Sequence, residues 1–489
     1  MNYSQFLNMI PEAFLVLALI LVFFADFCLT KSERKFEIVG RMTMTLLLCQ
    51  TVMLTTAGPE EAFGGMYVAT QAAQMMKMIL TFGTFIVVVM AQPWLEREAS
   101  RYAGEFHLLV LSTLLGMYIM MSSGSFVLFF LGLETASVPM ACLVAFDKWK
   151  KQSAEAAAKY VLVATFSSGV MLYGISFIYA ATGTLYFNDV AQALSDRYLF
   201  TPLQLMGLVF FFSGLAFKLS LVPFHFWTAD TYQGAPTAIT GYLSVCSKGA
   251  AAFAALVILV KAFGPMIDYW EYMLYVLIVL SITIANLFAI RQTELKRFMA
   301  FSSISQAGYI MLAVVGGSQT GMASLMYYVL VYIVANMAVF TVISAVENAN
   351  VQHPNPTLNV QRSMFSVYDG LYQTNPKLAF LMTLALFSLA GIPPFAGMFS
   401  KFFVFMAAAE QGSFWAYFVV FIALINTVVS LYYYLLIVKA MYIKQTDAPL
   451  PAFRTDANTR VALAVCTAGI VLFGICSCIY DCLFAASAM

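Results

Sequence analysis

The feature that most constrains this chain is the near-unbroken succession of apolar runs, each long enough to cross a lipid bilayer. About fourteen runs of roughly 18 to 30 residues follow one another, and about 20 apolar residues span a hydrocarbon core. A soluble chain of 489 residues with 62% hydrophobic and 10% charged residues could not cover its surface with polar groups. The sequence therefore predicts an all-α polytopic membrane protein. The predicted spans lie near residues 9–29, 39–57, 68–91, 106–122, 125–146, 155–181, 205–227, 236–262, 271–290, 299–315, 321–346, 376–409, 414–443 and 458–484.

Basic residues predict the orientation of these spans. If the loop that holds Lys31, Arg34 and Lys35 is inside, 18 of the 25 lysines and arginines fall in inside segments, and only Arg197 and Lys261 fall outside. This alternation places both termini on the outer side. The first apolar run is too long for a cleavable signal peptide and no basic segment precedes it, so we interpret it as the first span.

Two long spans contain prolines that should break the helix. Pro223 interrupts the seventh span, and the pair Pro393 and Pro394 interrupts the twelfth. Proline removes a helical hydrogen bond, and broken helices near the middle of the membrane are typical of transport folds. The stretches KLSLVPF and SLAGIPPF around these prolines are similar and lie five spans apart, as in two inverted five-helix repeats. We expect N-terminal helices in residues 1–105, repeats in 106–262 and 271–443, and a last helix in 444–489.

Four ionisable side chains lie deep in predicted spans. Glu134, Lys218 and Lys248 are about ten or more residues from the start of their spans, and Lys401 follows the proline break in the twelfth. Ten residues of helix cover about 15 Å, half of the hydrocarbon thickness. A charge at a helix centre costs about 2.5–3.5 kcal/mol on insertion scales, so such residues are functional candidates. A static ion pair between Glu134 and Lys218 is the structural alternative, but it leaves the other two lysines without an acid.

These groups have the properties of a proton relay. Desolvation favours the neutral amine of a lysine, whereas a nearby carboxylate favours the ammonium. Lys218 could therefore hold a proton while Glu134 is close and release it when the carboxylate moves away, and Lys248 and Lys401 could accept it in turn. His225, two residues after Pro223, can donate and accept near neutral pH, although a histidine at a helix end is the simpler interpretation. Two further lysines within spans, Lys159 and Lys77, are as easily structural as functional.

Redox and nucleotide sites are not predicted in this polypeptide. Cys476, Cys478 and Cys482 cluster without a nearby histidine, and the three histidines, His107, His225 and His353, are dispersed. No glycine-rich phosphate loop follows a strand pattern. The net charge of +1 gives no electrostatic reason for nucleic-acid binding.

The motifs around the deep charges resemble those of a known family, the antiporter-like membrane subunits of respiratory complex I. The resemblance implies a fourteen-helix fold with inverted repeats, in which Glu134 and Lys218 are a coupled pair, Lys248 is the central relay and Lys401 is the terminal lysine. It also implies a proton-uptake role for Lys159. Many relatives have a histidine where this chain has Gln306, so the step from Lys248 to Lys401 should depend more on water here. The four matching stretches are FLGLETASVPM (130–140), LVPFHFWTADTYQGAPTAITGYLSVCSKGAAAFA (221–254), ELKRFMAFSSISQAGYI (294–310) and LAGIPPFAGMFSKF (389–402).

The same resemblance implies the setting of the chain. It predicts a proton-translocating subunit of an NADH-quinone oxidoreductase in the bacterial inner membrane, beside sister antiporter-like subunits. Flavin mononucleotide, iron-sulfur clusters and quinone would belong to partner subunits. The alternatives are a subunit of a multisubunit sodium/proton antiporter, which shares these motifs, and a membrane scaffold needed only for assembly.

Overall fold

The computed structural model describes residues 3–30, 32, 34–195, 200–352, 364–444, 450–476 and 478–488. Three residues named above, Lys31, Arg197 and His353, lie outside these ranges, as does Arg362, one of the 18 basic residues of the predicted inside segments. The described residues are almost entirely helical, with one short hairpin of two antiparallel strands, β1 (Glu60–Ala62) and β2 (Tyr67–Ala69).

Twenty α-helices follow one another along the described ranges. A short 3-10 turn, Tyr3–Met9, precedes the first helix, and others precede the fourth and the twelfth helices. A π-helical turn, Leu243–Ser247, joins the tenth helix to the eleventh. The helices are α1 (Ile10–Cys28), α2 (Lys35–Thr56), α3 (Gln71–Glu98), α4 (Ala103–Met121), α5 (Phe126–Val144), α6 (Lys151–Thr182), α7 (Phe187–Ser195), α8 (Pro202–Leu219), α9 (Phe226–Gly234), α10 (Thr237–Tyr242), α11 (Lys248–Lys261), α12 (Ile267–Ile290), α13 (Leu295–Leu312), α14 (Gln319–Gln352), α15 (Leu371–Thr374), α16 (Pro376–Ala390), α17 (Ala396–Ala409), α18 (Phe414–Tyr442), α19 (Ala457–Ile475) and α20 (Cys478–Ala486).

The prediction of a polytopic helical membrane protein is confirmed. Twelve segments of the described chain are helical, long and apolar enough to cross a membrane. The other two predicted spans fall on α13 and on the pair of shorter apolar helices α16 and α17. The count of fourteen crossings therefore stays a prediction, as do the repeat boundaries.

The buried centre of the bundle is α14 together with the segment Thr237–Lys261. In the apolar 18-residue stretch of α14, 94% of the residues are buried, whereas the share is 28% in the corresponding stretches of α1, α6 and α18. The poorly buried helices expose large apolar side chains such as Phe23, Phe166 and Phe421, as expected for surfaces that face lipid or another membrane helix. The deep lysine Lys248 lies in this centre, and Lys401, on α17, is also buried within protein, at 4% exposure.

The breaks in the two proline-containing spans have the same form. Helices α8 and α16 are each followed by a residue with positive φ, which is 62° at Ser220 and 87° at Gly391. The chain then continues without helical structure through each proline and resumes as α9 or α17. Left-handed residues end helices, and the prolines prevent the helix from continuing. Ser220 and Gly391 occupy equivalent positions in the two similar sequence stretches.

Other prolines and glycines act differently. Pro139 lies inside α5, which continues past it to Val144. Glycines at two positions let α4 and α5 touch, because a Cβ on Gly116 would lie 2.3 Å from the backbone of Ala136 and one on Gly132 would lie 2.4 Å from that of Met120. This close contact fixes the rotation of α5 and, with it, the direction of Glu134. The last predicted span is also divided, since α19 ends before Cys476 and α20 begins at Cys478.

Candidate proton-relay site

Lys218 lies on the last turn of α8, directly before the first helix break. Its side chain is buried, at 6% exposure, and its Nζ donates to the Ser137 hydroxyl at 2.7 Å and to the Tyr160 hydroxyl at 3.5 Å. Tyr160 packs edge-on against Trp227, whose indole N–H donates to the Phe217 carbonyl, and this carbonyl also accepts from the Ser220 backbone N–H. The lysine therefore sits in a polar pocket built from α5, α6 and the break itself.

Glu134 is the acid that the sequence analysis paired with Lys218. In the structure it is half-buried and accepts a hydrogen bond from Ser168 at 2.5 Å, and no ion pair joins it directly to Lys218. It lies one helical turn from Ser137, on the same face of α5, within electrostatic range of the lysine. The two predicted partners therefore bind different hydroxyls, Lys218 that of Ser137 and Glu134 that of Ser168.

His225 ends the first break and begins α9. It is buried, stacks on Phe226 with ring centroids 4.6 Å apart, and its Nδ1 has no hydrogen-bond partner among the described residues. It is close enough to Lys248 to interact electrostatically. The histidine is therefore within electrostatic range of Lys248 and lies seven residues after Lys218 in the chain.

Lys248 begins α11 immediately after the π-helical turn. It is 1% exposed, its Nζ donates to the Ser303 hydroxyl at 2.8 Å, and it lies over the ring of Tyr232. The Ser303 hydroxyl also lies 3.2 Å from that of Tyr232. A π-helical turn often occurs at functional sites, and here it precedes Lys248, which points into the centre of the bundle.

Gln306 lies one turn after Ser303 on α13 and contacts the second break. Its Nε2 is 3.4 Å from the Leu389 carbonyl and 3.3 Å from the Tyr434 hydroxyl, and its Oε1 accepts from Tyr328. Lys401, on α17, donates to the next freed carbonyl, that of Ala390, at 3.0 Å. Glutamine and lysine therefore bind neighbouring carbonyls at the end of α16.

A small cavity lies between these two side chains. Its volume is about 10 Å³, roughly the space of one water molecule, and its lining includes Gln306, Tyr332, Ser388 and Lys401. The hydroxyls of Tyr332 and Ser388 are buried without a hydrogen-bond partner among the described residues. One ordered water with several polar partners would fit the cavity.

Lys159 is in a different environment from the other lysines. Its side chain is 44% exposed and forms ion pairs at 2.7 Å with Glu155 and Asp230, and Asp230 also accepts from Arg297 at 2.7 Å. Partial burial by itself raises the pKa of Asp230, but the hydrogen bonds and charges of Lys159 and Arg297 outweigh it and hold the pKa below its ordinary value. This cluster joins α6, α9 and α13 at one end of the bundle.

A second buried ion pair lies in the N-terminal helices. Lys77 and Glu12 meet at 2.7 Å with side chains 0% and 4% exposed, and Tyr67 donates to the same carboxylate at 2.9 Å. The sequence predicted no partner for Lys77 and did not single out Asp230 or Arg297. Depth gives no signal for the first pair, since Glu12 lies three residues and Lys77 nine residues from the start of its predicted span.

Comparisons with known proteins agree with this architecture. The family described as NADH:quinone oxidoreductase/Mrp antiporter, TM matches residues 123–458. The chain is 58% identical to NADH-quinone oxidoreductase subunit N of Phocaeicola vulgatus and 34% identical to the protein of the same name from Herminiimonas arsenicoxydans. The alignments cover 98% of both chains in the first case, and 97% of this chain and 96% of the relative in the second.

Solved structures show the same fold. A chain of respiratory complex I from Thermus thermophilus with bound aureothin has a TM-score of 0.78 and 30% identity, over 95% of this chain and 97% of that one. A chain of the Mrp complex from Dietzia has a TM-score of 0.81 over 100% of this chain and 97% of that one, but its 19% identity shows likeness of fold alone. From the family match and these relatives, the chain belongs to the family of NADH:quinone oxidoreductase and Mrp antiporter transmembrane subunits.

Proposed function

We propose that this chain is the subunit N of an NADH-quinone oxidoreductase and translocates protons through Glu134, Lys218, Lys248 and Lys401. The observation that carries the proposal is that each of the three deep lysines is buried against hydroxyl or carbonyl groups and that none of them has an ion-pair partner among the described residues. An amine without a fixed counter-charge can change its protonation state more easily than one held in a salt bridge. Electron transfer in partner subunits, which would hold the flavin, the iron-sulfur clusters and the quinone, would drive the changes.

The first step would be controlled by Glu134. Lys218 donates to the Ser137 hydroxyl, which itself donates to the Leu133 carbonyl, whereas Ser168 holds the Glu134 carboxylate, so the two charged groups have separate partners. A shift of α5 toward α8 would bring the carboxylate to the amine and stabilise the ammonium. A shift of α5 away from α8 would release the proton toward His225 and Lys248, across the break that follows α8.

The second step would pass through α13. Ser303 accepts from Lys248, and Gln306 lies one turn further along the same face, beside the cavity that reaches Lys401. Glutamine cannot carry a proton itself, so a water molecule in that cavity would complete the transfer. Lys159 would act earlier, in proton uptake, from its half-exposed cluster at the inner end. The membrane would be the bacterial inner membrane, with both termini on the outer side.

The experiment is proton uptake into inverted membrane vesicles that contain the assembled complex. With Lys218→Ala, we expect quinone reduction by NADH to persist while the number of protons taken up per NADH falls. A matched control is Lys261→Ala, which removes a lysine at the outer end of α11. Undiminished uptake in the Lys218 variant at a normal rate of quinone reduction would refute the relay.

A sodium/proton antiporter subunit is the second candidate, because the family description covers both classes. The two are separated by co-purification. Flavin and iron-sulfur subunits in the isolated complex favour the oxidoreductase, whereas a complex without them that exchanges sodium for protons favours the antiporter. A scaffold without a transport role would predict that Lys248→Met leaves transport unchanged in every assembled complex.

A further inference from the structure

An open cavity of about 490 Å³ lies at one end of the bundle, between the starts of α16 and α19. Its lining is mostly apolar but carries three cations, Lys377, Arg454 and Arg460, and no carboxylate among the described residues. None of the three forms an ion pair with a described residue. Three cations without an ion-pair partner among the described residues, around one concave surface, form an electrostatic site for an anion.

The walls of this cavity are held in place by a buried side chain. Asn375, 7% exposed, donates from its Nδ2 to the Pro451 carbonyl at 3.3 Å, and its Oδ1 accepts from the Phe453 backbone N–H at 3.2 Å. These bonds fix the segment before α19 against the start of α16. Arg454, the next residue, is thereby held beside Lys377.

Both helices that begin at the cavity have uncapped N-termini. No side chain accepts a hydrogen bond from the first turn of α16 or of α19, although Asn375 and Asp456 occupy their N-cap positions. The free backbone N–H groups and the positive ends of the two helix dipoles therefore add to the field of the three cations. An oxyanion with several oxygen atoms, such as a phosphate group, suits this combination of donors.

The apolar surface next to the cavity identifies the source of the phosphate. Phe380 lies three residues after Lys377 on the same face of α16 and is 55% exposed, and Val461 directly follows Arg460 on α19 and is 49% exposed. Both helices begin apolar segments here, so the cations lie at the level where a bilayer meets water, on the side to which the basic residues assign the interior. We propose that the cavity binds the headgroup of an anionic phospholipid, with its acyl chains against Phe380 and Val461.

The test uses the assembled complex in vesicles that contain a trace of phosphatidylglycerol with a photoreactive group in one acyl chain. We expect labelling of this chain near α16. The affinity for phosphatidylglycerol should decrease about 30-fold in the Arg454→Ala/Arg460→Ala variant, since two basic residues near a membrane surface supply about that factor. The lysine variant Arg454→Lys/Arg460→Lys should restore most of the labelling. The matched control, Arg101→Ala/Lys439→Ala, removes two exposed cations outside the cavity and should change nothing.

Three results would overturn the proposal. The first is equal labelling of the wild type and the Arg454→Ala/Arg460→Ala variant. The second is equal labelling by a phosphatidylcholine probe with the same photoreactive chain, which would show that only the apolar surface is recognised. The third is loss of labelling in an excess of inorganic phosphate, which would make free phosphate the occupant. Quinone reduction by NADH in the variants verifies that each complex is assembled.

Discussion

The Nζ of Lys401 donates to the carbonyl of Ala390 at 3.0 Å, so the lysine satisfies a backbone group that the break in its own span leaves free. In the first break, the Phe217 carbonyl accepts both from the Ser220 backbone N–H at 2.9 Å and from the Trp227 indole at 3.1 Å. Freed carbonyls in a membrane require such partners. Lys401 is therefore both part of the break and part of the proposed relay, and a test must separate the two.

Lys401→Arg separates them. Arginine keeps a donor for the Ala390 carbonyl but does not deprotonate in proteins, so the break should persist while proton transfer stops. We expect a complex that assembles and reduces quinone but takes up fewer protons per NADH, measured in inverted vesicles. Lys401→Met should give the same loss of uptake together with lower thermal stability. Normal uptake in the arginine variant would show that Lys401 is structural only.

Gln306→Leu should impair both stability and transport. Leucine leaves the Tyr328 hydroxyl and the Leu389 carbonyl without their present partner, and an unsatisfied buried polar group costs about 1–3 kcal/mol. Thermal inactivation of the complex measures the first effect, and proton uptake the second. Gln306→His should retain uptake, because imidazole both donates and accepts. Equal rates in the leucine variant and the wild type would remove Gln306 from the path.

Ser137→Ala removes the hydroxyl on α5 to which Lys218 donates. We expect slower proton uptake, because the amine loses its closest hydrogen-bond partner. The control is Thr135→Ala on the same helix, where the hydroxyl donates to the Leu131 carbonyl one turn earlier. If the two variants slow uptake equally, the effect belongs to α5 in general and not to the contact with Lys218.

Lys77→Met should destabilise the N-terminal helices strongly. It leaves the Glu12 carboxylate buried without its counter-ion, and breaking a buried ion pair from one side costs about 3–5 kcal/mol. The double variant Glu12→Leu/Lys77→Met should recover much of that stability, because well-packed apolar residues often replace such pairs without loss. Thermal release of this chain from the complex is the measurement. A double variant no more stable than Lys77→Met would contradict a simple ion-pair role.

Asp230→Asn should weaken the cluster with Lys159 and Arg297 without shifting the pH dependence of transport. The pKa of Asp230 is lowered, so the aspartate is charged throughout the neutral range, and its stabilising contribution is lost only as the pH falls below the ordinary range of a carboxyl group. Proton uptake measured from pH 6 to 8 should therefore fall by the same factor at each pH. A shift of the profile in this variant would mean that Asp230 titrates near neutral pH.

The sequence by itself determined the class of fold and the location of the unusual groups. Apolar run length predicts each span separately, and proline acts on the helix that contains it, so the breaks at Pro223 and at Pro393 and Pro394 could be predicted locally. The cost of a charge in hydrocarbon likewise singles out Lys218, Lys248 and Lys401 without any knowledge of their neighbours.

Only the tertiary structure decided what these groups touch. Lys218 meets Ser137 rather than Glu134 because the close packing of α4 on α5 sets the rotation of α5. Lys77 meets Glu12, and Asp230 meets Arg297, across 65 and 67 residues of chain, and such pairings depend on which helices are neighbours and on their rotation, which hydropathy does not encode. The apolar pattern of the sequence restricts the position of each helix along the membrane normal, whereas side-chain packing between helices determines its rotation and its neighbours.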